Sequence, residues 1–288
     1  MTSATPAVPT ATARAAGGES LPVRGTGWSN LLLAEWTKIR SVRSTVWTLL
    51  LFVIFTIGFT SLLTALTVAN WSTSRRGGGA GHPAIVADPS GFVLGTGIFL
   101  GQLTICVLGV LLISSEYSSG VIRASLLAVP KRIPVLAAKA AVFAVLLLIV
   151  AEIVAFASFA IGSSLLHSKV PVSLSDQGVT RAVIGAGLYL TVLGLFALSI
   201  GGILRHTAGA ITTTIGIILV LPILAGLLPG SWGAHINAYL PEQAGSLIYE
   251  AHTKSGALLS AWQGFGVLCL WTAVLLVIAA YLLKTRDA

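Results

Sequence analysis

Long unbroken apolar runs separated by short polar or basic stretches dominate this chain. An α-helix rises about 1.5 Å per residue, so roughly 20 apolar residues cross a hydrocarbon core about 30 Å thick. Six runs reach that length: 46–69, 91–114, 140–165, 182–204, 207–228 and 259–283. The third holds one charged residue, Glu152, and the fifth is broken by Pro222. Membrane-spanning β-strands would read as segments of about ten residues with alternating polarity, and these runs do not alternate. The pattern predicts an all-α membrane protein with six transmembrane helices. The first run follows 45 residues and is longer than a signal-peptide core, which marks it as a retained anchor.

Composition removes the alternatives. Of 288 residues, 55% are hydrophobic and 9% charged, with a mean hydropathy of +0.93. Soluble domains carry about 25% charged residues, so a soluble globular enzyme is excluded, and so is a disordered chain of low hydrophobicity. The net charge of +8 would raise the question of nucleic acid in a soluble protein. In a membrane protein it marks basic inner loops, and no nucleic-acid partner is expected. With six spans, both termini share a side with the loops after the second and fourth. Twelve of the 17 Lys and Arg fall on that side, leaving Arg75, Arg76, Lys169, Arg181 and Lys254 opposite, so both termini are expected in the cytoplasm. Cys106 and Cys269 lie inside apolar runs and read as small core residues.

Between the runs, residues 1–27 carry Thr, Ala, Pro and Gly without an apolar period, as a disordered cytoplasmic tail would. In 28–45, Trp28, Leu32, Trp36 and Ile39 share one helical face, with Glu35, Lys38 and Arg40 assigned elsewhere, which predicts an amphipathic helix lying in the lipid interface. The outer segment 229–258 includes Trp232, Tyr239, Leu240, Leu247, Ile248 and Tyr249. So many apolar residues predict short outer helices folded onto the membrane surface or the bundle mouth before the last span. The inner segment 115–139 is too long for a minimal turn and too apolar for a solvated linker. Val121, Ile122, Leu126 and Leu127 stand near helical spacing, which suits a short helix across the cytoplasmic face; the plainer alternative is a basic loop that only sets topology.

Within that segment, Glu116, Gly120, Arg123, Leu127, Pro130, Arg132 and Lys139 match, in order and spacing, the pattern around the cytoplasmic loop between the second and third spans of type-2 ABC transporter permeases. The run Glu35-Trp36-Thr37-Lys38-Ile39-Arg40-Ser41 is similar to that family's approach to its first span, and the resemblance extends from Trp28 to the C-terminus. It implies the membrane subunit of a bacterial ABC exporter in the plasma membrane. Such a subunit pairs with a second permease subunit, identical or homologous, and docks a separate ABC ATPase subunit. It also implies a cytoplasmic coupling helix around Gly120 to Leu127, seated in a cleft of the ATPase. Glu116 and Arg123 would hold that helix or bond the ATPase, and Val121, Ile122, Leu126, Pro130 and Arg132 would complete the contact. ATP and Mg would belong to the partner, and this chain would bind no cofactor. A P-loop needs a Gly-Lys pair to cradle phosphates, and the sequence contains none, so no catalytic residue is expected here.

Candidate pathway residues are few. Glu152 near the middle of the third span costs roughly 2.5–3.5 kcal/mol on insertion scales, so it should face the bundle interior, a partner or water. Gln102 is a candidate partner or co-lining residue, and Thr212 belongs to the polar start of the fifth span. Gly187, Gly194 and Gly201 recur every seven residues and predict a face of close helix packing. The five histidines have no ligand-like spacing, and no metal site is expected. Few charges along the spans favour an amphipathic or hydrophobic substrate. Two alternatives stand beside the exporter: a proton-coupled carrier using Glu152, and a non-transporting membrane scaffold.

Overall fold

The computed structural model describes residues 27–71, 85–118, 132–229, 231–252 and 256–285. Among them every regular element is helical. The tail before residue 27 and Gly120, Val121, Ile122, Arg123, Leu126, Leu127 and Pro130 lie outside the described residues. In chain order the elements are α1 (Trp28–Ser41), α2 (Arg43–Ala69), α3 (Pro89–Ser118), α4 (Arg132–Leu166), α5 (Val179–Leu204), α6 (Thr207–Ile215), α7 (Leu221–Gly226), α8 (Ser231–Ala238), α9 (Pro241–Ser246) and α10 (Ala261–Thr285). Six stretches are long and apolar enough to cross a membrane, namely α2, α3, α4, α5, α6 through α7, and α10. The protein is a multi-pass membrane protein.

The helices outrun the apolar windows where charged residues anchor them. Helix α4 has 35 residues, or about 52 Å at 1.5 Å each, well beyond a hydrocarbon core about 30 Å thick. Its first two turns therefore reach past the apolar layer and carry Lys139. Helix α3 likewise runs on through Glu116 to Ser118. A single extended residue, Val42, separates α1 from α2.

Helix α5 is the centre of the bundle, packed against α3, α4, α6 and α10. At Gly194 the neighbours approach closely: the Gly194 carbonyl lies against Gly109 of α3, and a methyl group added at Gly194 would collide with Leu147 of α4. Gly187 and Gly201 abut Glu152 and Ile113 respectively, so the seven-residue glycine face packs within this chain. Small residues let backbones approach where lipid supplies no hydrophobic drive between helices. Helix α2 uses a threonine column for the same purpose: Thr56, Thr60 and Thr64, four residues apart, are buried, and the first two press on Gly97 and Gly101 of α3.

The fifth span is not one regular helix. A π-helical turn, Gly216–Val220, joins α6 to α7, with the Leu221 amide donating five residues back to the Gly216 carbonyl. Pro222 has no amide proton, and its ring would strike the carbonyl four residues upstream. A wide turn just before it absorbs both defects. Beyond α7, α8, α9 and a 3-10 turn (Leu247–Tyr249) fold back onto the bundle mouth, burying Leu240, Ala244 and Ile248.

One assignment needs correction. Glu35 does not point away from the packed face of α1; it is 3% exposed and faces the bundle beside Ile39, while Trp28 and Trp36 are exposed. The reason is angular. Residues turn by about 100° each, so Glu35 stands only about 40° from Ile39, at the inner edge of the apolar stripe.

Candidate functional site

Three groups of polar side chains are built into the bundle. The first lies at the end that carries α1. Lys139 of α4, 3% exposed, donates from Nζ to Glu35 Oε2 of α1 at 2.7 Å and to Glu116 Oε1 of α3 at 2.7 Å. Lys38 donates to Glu35 Oε1 at 2.7 Å and lies 3.6 Å from Glu116 Oε1. Two ammonium groups and two carboxylates thus neutralise one another where three helices meet. Burial would raise the Glu35 carboxyl, but Lys139 and Lys38 outweigh it and hold the group below its ordinary 4.5. Burial would lower the Lys38 ammonium, but its bond to Glu35 and the nearby Glu116 hold it above 10.5. Buried charge is tolerable only when paired in this way.

A second contact grips the next residue. The Arg205 guanidinium sits 5.0 Å from the centre of the Tyr117 ring and donates to the Leu282 carbonyl of α10 at 3.0 Å. Arg205 closes α5 in the left-handed region, φ 55°, with its amide donating to the Gly201 carbonyl. Such a conformation in a non-glycine residue costs on the order of 1–3 kcal/mol and persists only where contacts hold it. Consecutive residues, Glu116 and Tyr117, therefore tie the last turn of α3 to α1 and α4 on one side and to α5 and α10 on the other. A pocket of about 150 Å³ opens beside the ion cluster, lined by Lys38, Ser44, Thr45, Leu111, Ser115 and Glu116 among others.

The second group is in mid-bundle. The fully buried Tyr189 hydroxyl of α5 donates to Gln102 Oε1 of α3 at 2.7 Å. Gln102 is therefore bonded to Tyr189 rather than to Glu152. Glu152 lies against Gly187, and its buried Oε2 has no hydrogen-bond partner among the described residues. Thr212 is exposed, and its hydroxyl turns back to the Ala208 and Gly209 carbonyls of its own helix at 2.9 and 3.0 Å.

The third group closes the opposite end. Arg181 at the start of α5 donates to the Glu250 and Ala251 carbonyls, both at 2.9 Å, and Asp88 accepts from the Ala251 amide at 3.2 Å. Tyr249 meets Tyr189 edge to face, with ring centres 5.3 Å apart. Burial pushes the Glu242 carboxyl up to about 7, against the bond it accepts from Gln243. Gly178 takes a left-handed φ of 83° there, which glycine alone adopts freely, and a side chain at this position would also strike the Ala251 carbonyl.

Of the residues singled out from sequence, Glu35, Lys38 and Glu116 come together with Lys139; Arg40 is exposed, and Arg132 opens α4. Sequence reasoning did not single out Tyr189, Arg205, Asp88 or Arg181. The available signal was a tyrosine within an otherwise apolar span, and single charges abutting span ends. Among the described residues no group of three His, Cys, Asp or Glu side chains could hold a metal. No family model matches the chain, and no curated protein is similar enough to it to count as a match.

Proposed function

We propose that the chain is the transmembrane permease subunit of a type-2 ABC exporter in a bacterial plasma membrane, with both termini cytoplasmic. It would pair with a second permease subunit and dock a separate ATPase, which supplies ATP hydrolysis with Mg. The observation that supports this is the tie at the base of the segment expected to couple. Glu116 and Lys139, 23 positions apart, are joined directly at 2.7 Å, and Glu35 of α1 shares the same ammonium. A segment held at its base delivers a push to one point instead of dissipating it in slack chain.

In this reading, ATP-driven closure of the ATPases displaces the segment 119–131. The Glu116–Lys139 pair passes that displacement to α1, α3 and α4, and Tyr117 with Arg205 passes it to α5 and α10. The wide turn ahead of Pro222 gives the fifth span a place to bend. The substrate is an amphipathic or hydrophobic molecule, in keeping with spans that offer few charges.

The test is whether the chain co-purifies with an ABC ATPase from its native membrane, followed by turnover of the pair in proteoliposomes. Substituting Gly120 or Arg123 is expected to reduce permease-stimulated ATP hydrolysis while leaving the isolated ATPase unchanged. Transport that persists without any ATPase but collapses on Glu152→Gln refutes the proposal and identifies a proton-coupled carrier. An unpartnered carboxylate in mid-span is the feature such a carrier would use.

A further inference from the structure

We propose that the pocket beside the ion cluster binds the headgroup of phosphatidylethanolamine from the leaflet that holds α1. The site is independent of whether an ATPase docks. Its walls fall into two kinds. Leu108, Leu111 and Leu112 of α3 form an apolar side, and Ser44, Thr45, Glu116 and the Lys38 stem and ammonium form a polar one. Val42, Ser44 and Ser115 at its rim are exposed, at the level where the charged ends of α3 and α4 leave the apolar layer.

Charge selects the ligand. The four ionised groups cancel, so a simple anion would meet Glu116 and a simple cation would meet Lys38. A zwitterion with both charges a few ångströms apart satisfies the two together. The open valence is on the acidic side: Glu116 Oε1 takes Lys139 and the longer approach of Lys38, while no donor from the described residues reaches Oε2 of this side chain, which is 13% exposed. A primary ammonium supplies that donor, and charge-assisted bonds of this kind are the strong ones. The Ser44 and Thr45 hydroxyls make no hydrogen bond among the described residues and stand ready to donate to phosphate oxygens. A volume of about 150 Å³ matches a cavity that holds one benzene, so a headgroup enters while the acyl chains stay outside the pocket.

The experiment is native mass spectrometry of the purified full chain in detergent, titrated with phosphatidylethanolamine, its N-methyl and N,N-dimethyl derivatives, phosphatidylcholine and phosphatidylglycerol. Affinity is expected to fall stepwise with methylation, by about tenfold from ethanolamine to choline, and by a similar factor for the glycerol lipid. Ser115→Trp, which fills the rim from an exposed position, is expected to abolish the preference with helix content by circular dichroism unchanged. Glu116→Gln should bring the ethanolamine-to-choline ratio close to one. Because the headgroup series uses the unaltered protein, it decides the matter even if Glu116→Gln does not fold. Equal retention of phosphatidylcholine and phosphatidylethanolamine, tighter retention of phosphatidylglycerol, or an unchanged preference in Ser115→Trp overturns the proposal.

Discussion

Replacing Lys139 with Met removes one ammonium from a cluster that has two, while nearly keeping the volume of the side chain. Glu116 then loses its 2.7 Å partner and retains only Lys38 at 3.6 Å, and Glu35 loses one of its two ammonium contacts. Breaking a buried ion pair by removing one member costs about 3–5 kcal/mol, because a charge is left without compensation. Lys38 is 32% exposed and can swing toward Glu116, so the low end, about 3 kcal/mol, is expected. At about 2–4 °C per kcal/mol for a chain of this size, the melting temperature in detergent should fall by about 6–12 °C. Hydrogen exchange should rise first in α1, which is joined to α4 through this contact. The double variant Glu35→Gln/Lys139→Met supplies the control, because removing both charges removes the penalty. A positive coupling of at least about 1 kcal/mol is expected in that cycle, and it should survive high salt, since buried pairs are poorly screened. A single-variant loss below about 0.5 kcal/mol, or strict additivity in the cycle, would refute the argument that the cluster clamps α1.

Other consequences follow from the same contacts. Because the Glu35 carboxyl is held below 4.5, its contribution is present above that pH and is lost as pH falls through the lowered value; Lys38, held above 10.5, contributes until pH rises through its raised value. Protection of α1 against exchange should therefore be flat between about pH 5 and pH 10 and fall on the acid side first. Gly194→Val forces a branched side chain into Leu147 and should cost about 1–3 kcal/mol, whereas Gly216→Ala, which meets nothing within 4 Å, should be neutral or mildly stabilising in the same thermal assay. Tyr189→Phe leaves Gln102 Oε1 buried without its donor and should cost about 1–3 kcal/mol; chemical denaturation with no change in midpoint would contradict that bond.

What could be read from the chain itself depended on how local each signal was. The six spans were legible because run length and polarity belong to each segment alone. Leu240 and Ile248 in the outer loop similarly announced that it folds back, whereas Trp232 and Tyr239, read the same way, stay exposed. Pro222 foretold an interruption, but not that a π turn would carry it, since the remedy depends on the packing of Ile218 against the core. The partner of Gln102 was out of reach, because a polar group in one span does not specify which neighbouring helix will face it. Arg205 in the left-handed region was equally hidden: glycine is the usual residue there, and the contacts with Tyr117 and Leu282 that retain arginine come from helices distant in sequence. Glu35 is an instructive intermediate. Its angle to Ile39 was available from helical geometry, but charge alone suggested the wrong face.

The ion cluster also bears on the order in which the protein is made. Its members, Glu35, Lys38, Glu116 and Lys139, all precede the fourth span, whereas the helix around which the bundle packs, α5, starts only at Val179. Chains leave the ribosome N-terminus first. The early spans are thus made before their central helix, with the ion cluster and the α2 threonine column against α3 among the contacts that can join them at that stage. All four charges are thus synthesised before the glycine-lined helix that packs against α3 and α4, two of the helices that carry them.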